Sequence, residues 1–71
     1  MPKLQTATLA FLWLGNQIEV SVRRGRRVSF HRIRQNGWSH HRLYRLLMLY
    51  AEAWPGDTIW VVDMTNVISN G

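Results

Sequence analysis

The chain contains no cysteine. No disulfide can staple it, no thiolate can hold zinc, and its redox chemistry points to no oxidising compartment. Lysine is nearly absent too, with Lys3 its single example, and there are only 4 carboxylates in 71 residues, Glu19, Glu52, Asp57 and Asp63. Long hydrophobic runs are also missing. No stretch approaches the roughly 18 to 20 apolar residues of a membrane span. Leu9–Leu14 is too short for the apolar core of a signal peptide followed by a small-residue cleavage site. The expectation from these absences is a cytoplasmic protein of a prokaryote or its virus, with no membrane partner.

The length supports one domain, 1–71, near the lower limit for an unaided hydrophobic core. Apolar residues make up 46% of it, too many for a disordered tail. No repeat, linker or low-complexity segment divides it.

What the chain does have is arginine. The net charge is +5, and all 8 arginines lie between Arg23 and Arg45, while residues 4–22 have only Glu19 as a charge and residues 46–71 only Glu52, Asp57 and Asp63. Arginine presents a planar fork that matches phosphate or carboxylate bidentately and stacks on flat surfaces, which a merely solubilising lysine does not. The middle third is therefore a basic zone between neutral or acidic flanks.

Within that zone, residues 20–30 (Val-Ser-Val-Arg-Arg-Gly-Arg-Arg-Val-Ser-Phe) form a near mirror about Gly25. A mirror is what a β-hairpin needs, since facing residues must agree on the buried side. It predicts Val22 opposite Val28 and Val20 opposite Phe30 across an odd-length loop. The tip then carries Arg23, Arg24, Arg26 and Arg27. Upstream, Gly15-Asn16 is a two-residue turn signal. It places Trp13 opposite Ile18, Phe11 opposite Val20 and Leu9 opposite Val22, all on one face. The other face of the second and third strands would be polar, with Glu19, Ser21, Arg23, Arg27, Ser29 and His31. The first strand is apolar on both sides, because Ala10, Leu12 and Leu14 also need cover.

After the Gln35-Asn36-Gly37 break, Ser39 is the expected N-cap of a helix over 40–53, with Leu43, Leu46, Leu47, Tyr50 and Trp54 at helical spacing. Trp54-Pro55-Gly56-Asp57 ends it. Thr58–Met64 is a strand that is apolar on both faces, and 65–71 a short tail. The fold expected is α+β in the order β-β-β-α-β: a three-stranded antiparallel meander, one helix packed on one face of the sheet, and a fourth strand. A crossover helix would lay that strand parallel to the first, giving sheet order 3-2-1-4, which fits the two-sided apolarity of both, while a place beside the third strand stays open from sequence alone.

The helix carries its charges backwards. His40, His41 and Arg42 occupy its first turn, with Arg45 next, where a helix prefers anions by a few tenths to about 1 kcal/mol per group. The arrangement suits an external phosphate or carboxylate near Ser39, His40, His41, Arg42, Arg32 and Arg34, or equally a solvated helix start. Trp13, Trp54 and Trp60 fall on expected core faces. Trp38 lies in the basic zone and could stack on a base, anchor an interface or staple the helix start. Apolar surplus on the helix, at Tyr44, Met48 and Leu49, suggests a homodimer through the helix or a protein partner.

No paired carboxylates, phosphate-cradling glycine loop or metal-ligand set is present. Adjacent histidines on a helix point about 100° apart and cannot easily share a metal. No cofactor or metal is expected. Three functional readings follow. The first is a non-enzymatic nucleic-acid-binding accessory protein, with Arg23, Arg24, Arg26 and Arg27 on phosphates and Arg32, Arg34, Trp38, His40, His41, Arg42 and Arg45 extending the track. The second is a phage- or plasmid-type inhibitor that docks the same arginines on an acidic host protein. The third is a metal-independent ribonuclease toxin that uses His31, His40 or His41 as base and arginine as charge stabiliser.

Overall fold

The computed structural model describes residues 4–65. Its elements run β1 (Thr6–Trp13), β2 (Gln17–Arg24), β3 (Arg27–Arg34), α1 (Ser39–Ala53) and β4 (Thr58–Asp63). They form one four-stranded sheet in the order β3-β2-β1-β4, antiparallel except for the parallel β1–β4 pair. This is the expected α+β architecture, with β4 beside β1. Of the expected tail 65–71, residues 66–71 lie outside the described residues. Thr65 is tied down by accepting the Trp13 backbone N–H on its hydroxyl at 2.9 Å.

The β1–β2 hairpin has the expected register. Leu9 faces Val22, Phe11 faces Val20 and Trp13 faces Ile18, and Leu14 N–H donates to the Gln17 carbonyl at 2.8 Å across the turn. Turn chemistry and apolar alternation select the same buried face here, so a one-residue slip would expose the whole set. Leu9, Ile18, Val20 and Val22 form the core with Ile33. The expected helical stripe covers it: Leu43, Leu46, Leu47, Tyr50 and Trp54 all pack against this cluster.

The β2–β3 hairpin departs from expectation by one residue. Val22 faces Ser29 and Val20 faces His31, rather than Val28 and Phe30. The loop is the pair Gly25-Arg26, closed by Arg24 opposite Arg27, and Gly25 adopts φ +63°. A two-residue hairpin turn with positive φ at its first position wants glycine there, and its twist matches that of the strands. The one-residue shift exchanges the faces of β3. Ile33 now meets Ile18 in the core, and His31 reaches the Tyr50 hydroxyl at 2.7 Å. Val28 and Phe30 turn to the face away from α1, joined by Arg32 and Arg34, while Arg27, Ser29 and His31 lie on the helix side. The expected polar outer face on β3 is thus replaced by a mixed aromatic and basic one.

Two further expectations are corrected at the helix start. Ser39 is the first helical residue rather than the N-cap; Trp38 holds the N-cap position without a side-chain cap. The Ser39 hydroxyl is needed beneath the loop. It accepts the Asn36 N–H at 2.7 Å and donates to the Asn36 carbonyl at 2.8 Å, and the residue is only 2% exposed. Trp38 is therefore one position too late to staple the helix, and its ring stands against His41 with centroids 6.2 Å apart.

The Cα envelope is 15 Å thick in its thinnest direction, the depth of one sheet and one helix layer. Among the described residues, no helix is long and apolar enough to cross a membrane.

Candidate nucleic-acid interface

The hairpin brings the tip arginines together, but they are not equivalent. Arg24 is half-buried. Its Nε–H donates to Asp57 Oδ2 at 2.7 Å, and its guanidinium carbon lies 5.3 Å from the Trp54 ring centroid. The Asp57 carboxylate also accepts the Gln5 backbone N–H at 2.9 Å. The hydrogen bond from Arg24, and then that from Gln5, hold its carboxyl below the ordinary value of 3.8. Arg24 is therefore a structural residue rather than a free cation. This is the one ion pair among the described residues, so the other arginines have no carboxylate neutralising them at contact distance.

Those seven form two groups. Arg23, Arg26 and Arg27 are exposed at the hairpin tip. Arg23 lies on the sheet face opposite α1, between Thr8 and Val28 in register, and Arg27 on the α1 side facing Arg24. The second group sits along β3, which is an edge strand. Arg32 and Arg34 stand on the open face opposite Glu19 and Gln17. From α1, Arg42 and Arg45 approach the same edge. Arg32, Arg42 and Arg45 line a single groove of about 320 Å³ between helix and strand, and its apolar wall is Leu46 and Leu49. An edge strand offers a row of unpaired backbone groups, and here it is flanked by three guanidinium groups.

The helix start does not assemble the anion site that its residue types suggest. Ser39 is enclosed under the loop, and the His40 ring packs on Trp13 with centroids 5.0 Å apart. His41 lies on Trp38 and His31 on Tyr50. Tyr50 is ten residues, about 15 Å along the helix, from His40. Each histidine is thus engaged by a different aromatic ring. Among the described residues no group of three metal-ligating side chains gathers.

Sequence reasoning missed one region. Trp60, expected in the core, is 62% exposed, and Phe30 is 79% exposed on the same open face. The signal was present in the two-sided apolarity of β1 and β4, which asks for cover that no described element supplies. Comparison with protein-family models, curated proteins and solved structures gives no match for this chain.

Proposed function

We propose that this is a non-catalytic nucleic-acid-binding protein, acting in the cytoplasm, that lays a phosphate backbone along its β3 edge. Arg32, Arg42 and Arg45 would grip the phosphates. Arg23, Arg26 and Arg27 at the tip continue the track in one direction, and Arg34, Trp38, His40 and His41 in the other. The observation that carries this reading is the convergence of three unpaired guanidinium groups from two elements on one groove. Like charges held together without an ion-pair partner repel, and a polyanion relieves that repulsion while releasing its own counterions.

The test is a salt titration of binding to fluorescein-labelled oligonucleotides. Each phosphate contact contributes about 0.7 to 0.9 to the slope of log affinity against log salt. The variant R32A/R42A/R45A is expected to lower that slope by about 2 to 3, whereas R24A should leave it nearly unchanged. An unchanged slope in the triple variant removes the β3 edge from the interface.

A second reading draws on Leu49, which is 63% exposed inside the arginine groove, and on the exposed Tyr44 and Met48 on the other flank of α1. An apolar anchor ringed by arginine has the composition of a protein-binding hot spot. In this reading the chain is an inhibitor seated on an acidic host protein. Its complex would survive nuclease treatment in a pull-down, whereas proteins bridged by nucleic acid would be lost.

A further inference from the structure

The sheet face away from α1 has a distinct relief. Across the strands, Phe30, Ser21, Ala10 and Val62 stand in one row, and Val28, Arg23, Thr8 and Trp60 in the next. In the first row the small Ser21 and Ala10 of the inner strands lie between Phe30 and Val62, and in the second Arg23 and Thr8 lie between Val28 and Trp60. The result is a trough of about 670 Å³, with Phe30 and Arg32 on one wall, Leu12 and Met64 on the other and Ala10, Ser21 and Glu19 between. Phe30 and Trp60 stand on opposite outer strands, three strand spacings or roughly 14 Å apart across the sheet.

We infer that this open sheet face, the trough with Phe30 on its wall together with the exposed Trp60 one row beyond it, is a stacking platform for a nucleic-acid single strand, its bases lying on the face and its phosphates passing to the β3 edge. The inference rests on the nucleic-acid reading above and specifies the form of the strand. Arg32 lines both the trough and the edge groove, so one guanidinium joins the place for bases to the place for phosphates. Glu19 lines the trough as well. A carboxylate there repels a phosphate but accepts the amino and imino protons of a base edge, so the charges sort bases inward and backbone outward. A duplex cannot use such a surface, because its base faces are already stacked on one another. Unpaired bases have free π-faces, and exposed aromatic rings on a sheet bind them. Arg23, Arg32 and Arg34 stand on this same face without an ion-pair partner among the described residues, which favours this occupant over an apolar one.

The test measures the affinity of the full chain for labelled oligouridine and oligodeoxythymidine of roughly 12 nucleotides, a length within the range of known single-strand sites, and for a duplex of the same length. The wild type is compared with F30L, W60L and F30L/W60L, which keep apolar area but lose the π-faces, and with F30Y/W60F, which keeps them. The wild type is expected to prefer single strands. Each leucine variant should lose roughly tenfold of single-strand affinity and the double variant on the order of a hundredfold, with duplex affinity and salt slope unchanged and F30Y/W60F restored. Preference for oligouridine or oligodeoxythymidine then identifies RNA or DNA, and either supports the platform. Equal single-strand affinity in the wild type and F30L/W60L overturns the platform but leaves the arginine edge standing. Absence of binding to every oligonucleotide overturns both. A wild type that sediments as a dimer and becomes a monomer in F30L/W60L makes the trough an interface between two copies of the chain, which also overturns the platform.

Discussion

Arg24 and Asp57, 33 residues apart in sequence, are joined by a hydrogen bond of 2.7 Å from the arginine Nε–H to the aspartate Oδ2. The pair ties the end of β2 to the connection between α1 and β4. Trp54, at the helix C-terminus, lies against the same guanidinium, and Gln5, just before β1, donates its N–H to the same carboxylate. Three segments far apart in the chain are thus held at one corner of the sheet. A cluster that looks in sequence like four equal cations is in the fold three free cations and one anchor.

This anchor should make stability depend on pH in a specific window. The Asp57 carboxyl is held below 3.8, chiefly by Arg24. Its folded-state pKa is therefore lower than its unfolded one. The stabilisation is fully present above the unfolded value and is lost as pH falls through the folded one. D57N, which cannot carry the charge, is expected to melt at a lower temperature than the wild type at neutral pH. The gap should narrow as the pH is taken below 3.8. Thermal melts followed by circular dichroism across that range check this, and a gap that stays constant into strong acid would show that the carboxylate charge is not what holds the corner.

The contact between His31 and Tyr50 makes a second prediction. The 2.7 Å bond joins β3 to α1 and forms only because β3 is paired in its observed register. Y50F removes the hydroxyl while keeping the ring that packs against Trp54 and the core. It should cost about 1 kcal/mol, which for a domain of this size is a fall of roughly 4 to 8 °C in Tm. Y44F is the control, since Tyr44 is exposed and its hydroxyl makes no hydrogen bond among the described residues; it should leave Tm unchanged. Urea titrations of the two variants separate the outcomes, and equal midpoints would remove the His31 bond from the stability of the fold.

How far the fold could be read from sequence follows from which signals are local. The β1–β2 register was legible because Gly15-Asn16 and the alternation on both sides agree. The helix was legible from the spacing of Leu43, Leu47, Tyr50 and Trp54, while β4 was legible as a strand whose two-sided apolarity favoured a place beside β1 without excluding one beside β3. The β2–β3 register was not, because the mirror about Gly25 gives Val28 and Phe30 the look of core residues. What opposes it is distant: Ile33 under the helix, His31 on Tyr50, Arg24 on Asp57. Local symmetry competed with three long-range contacts and lost. The basic zone was plain in the arginine clustering. The edge groove was not, since it needs α1 to lie so that Arg42 and Arg45 meet Arg32. The aromatic face was hidden by the same one-residue slip that turned Phe30 outward.

Ser39 separates a structural helix start from an anion site. The first turn of α1 has no acidic residue, and His40, His41 and Arg42 face the positive end of the helix dipole, where a bound anion would relieve them. If that anion were held at the helix start, Ser39 would be its natural hydroxyl donor. The geometry assigns the hydroxyl to the loop instead: it accepts from Asn36 N–H and donates to the Asn36 carbonyl, with the Arg34 carbonyl at 3.2 Å, and almost none of the residue is exposed. Removing it leaves loop groups without their partner, a loss of about 1 to 2 kcal/mol. S39A is therefore expected to lower the urea midpoint while leaving oligonucleotide affinity and its salt slope at wild-type values under conditions where both proteins are folded. A drop in affinity at unchanged stability would return Ser39 to the binding surface and place the phosphates at the helix N-terminus rather than along β3.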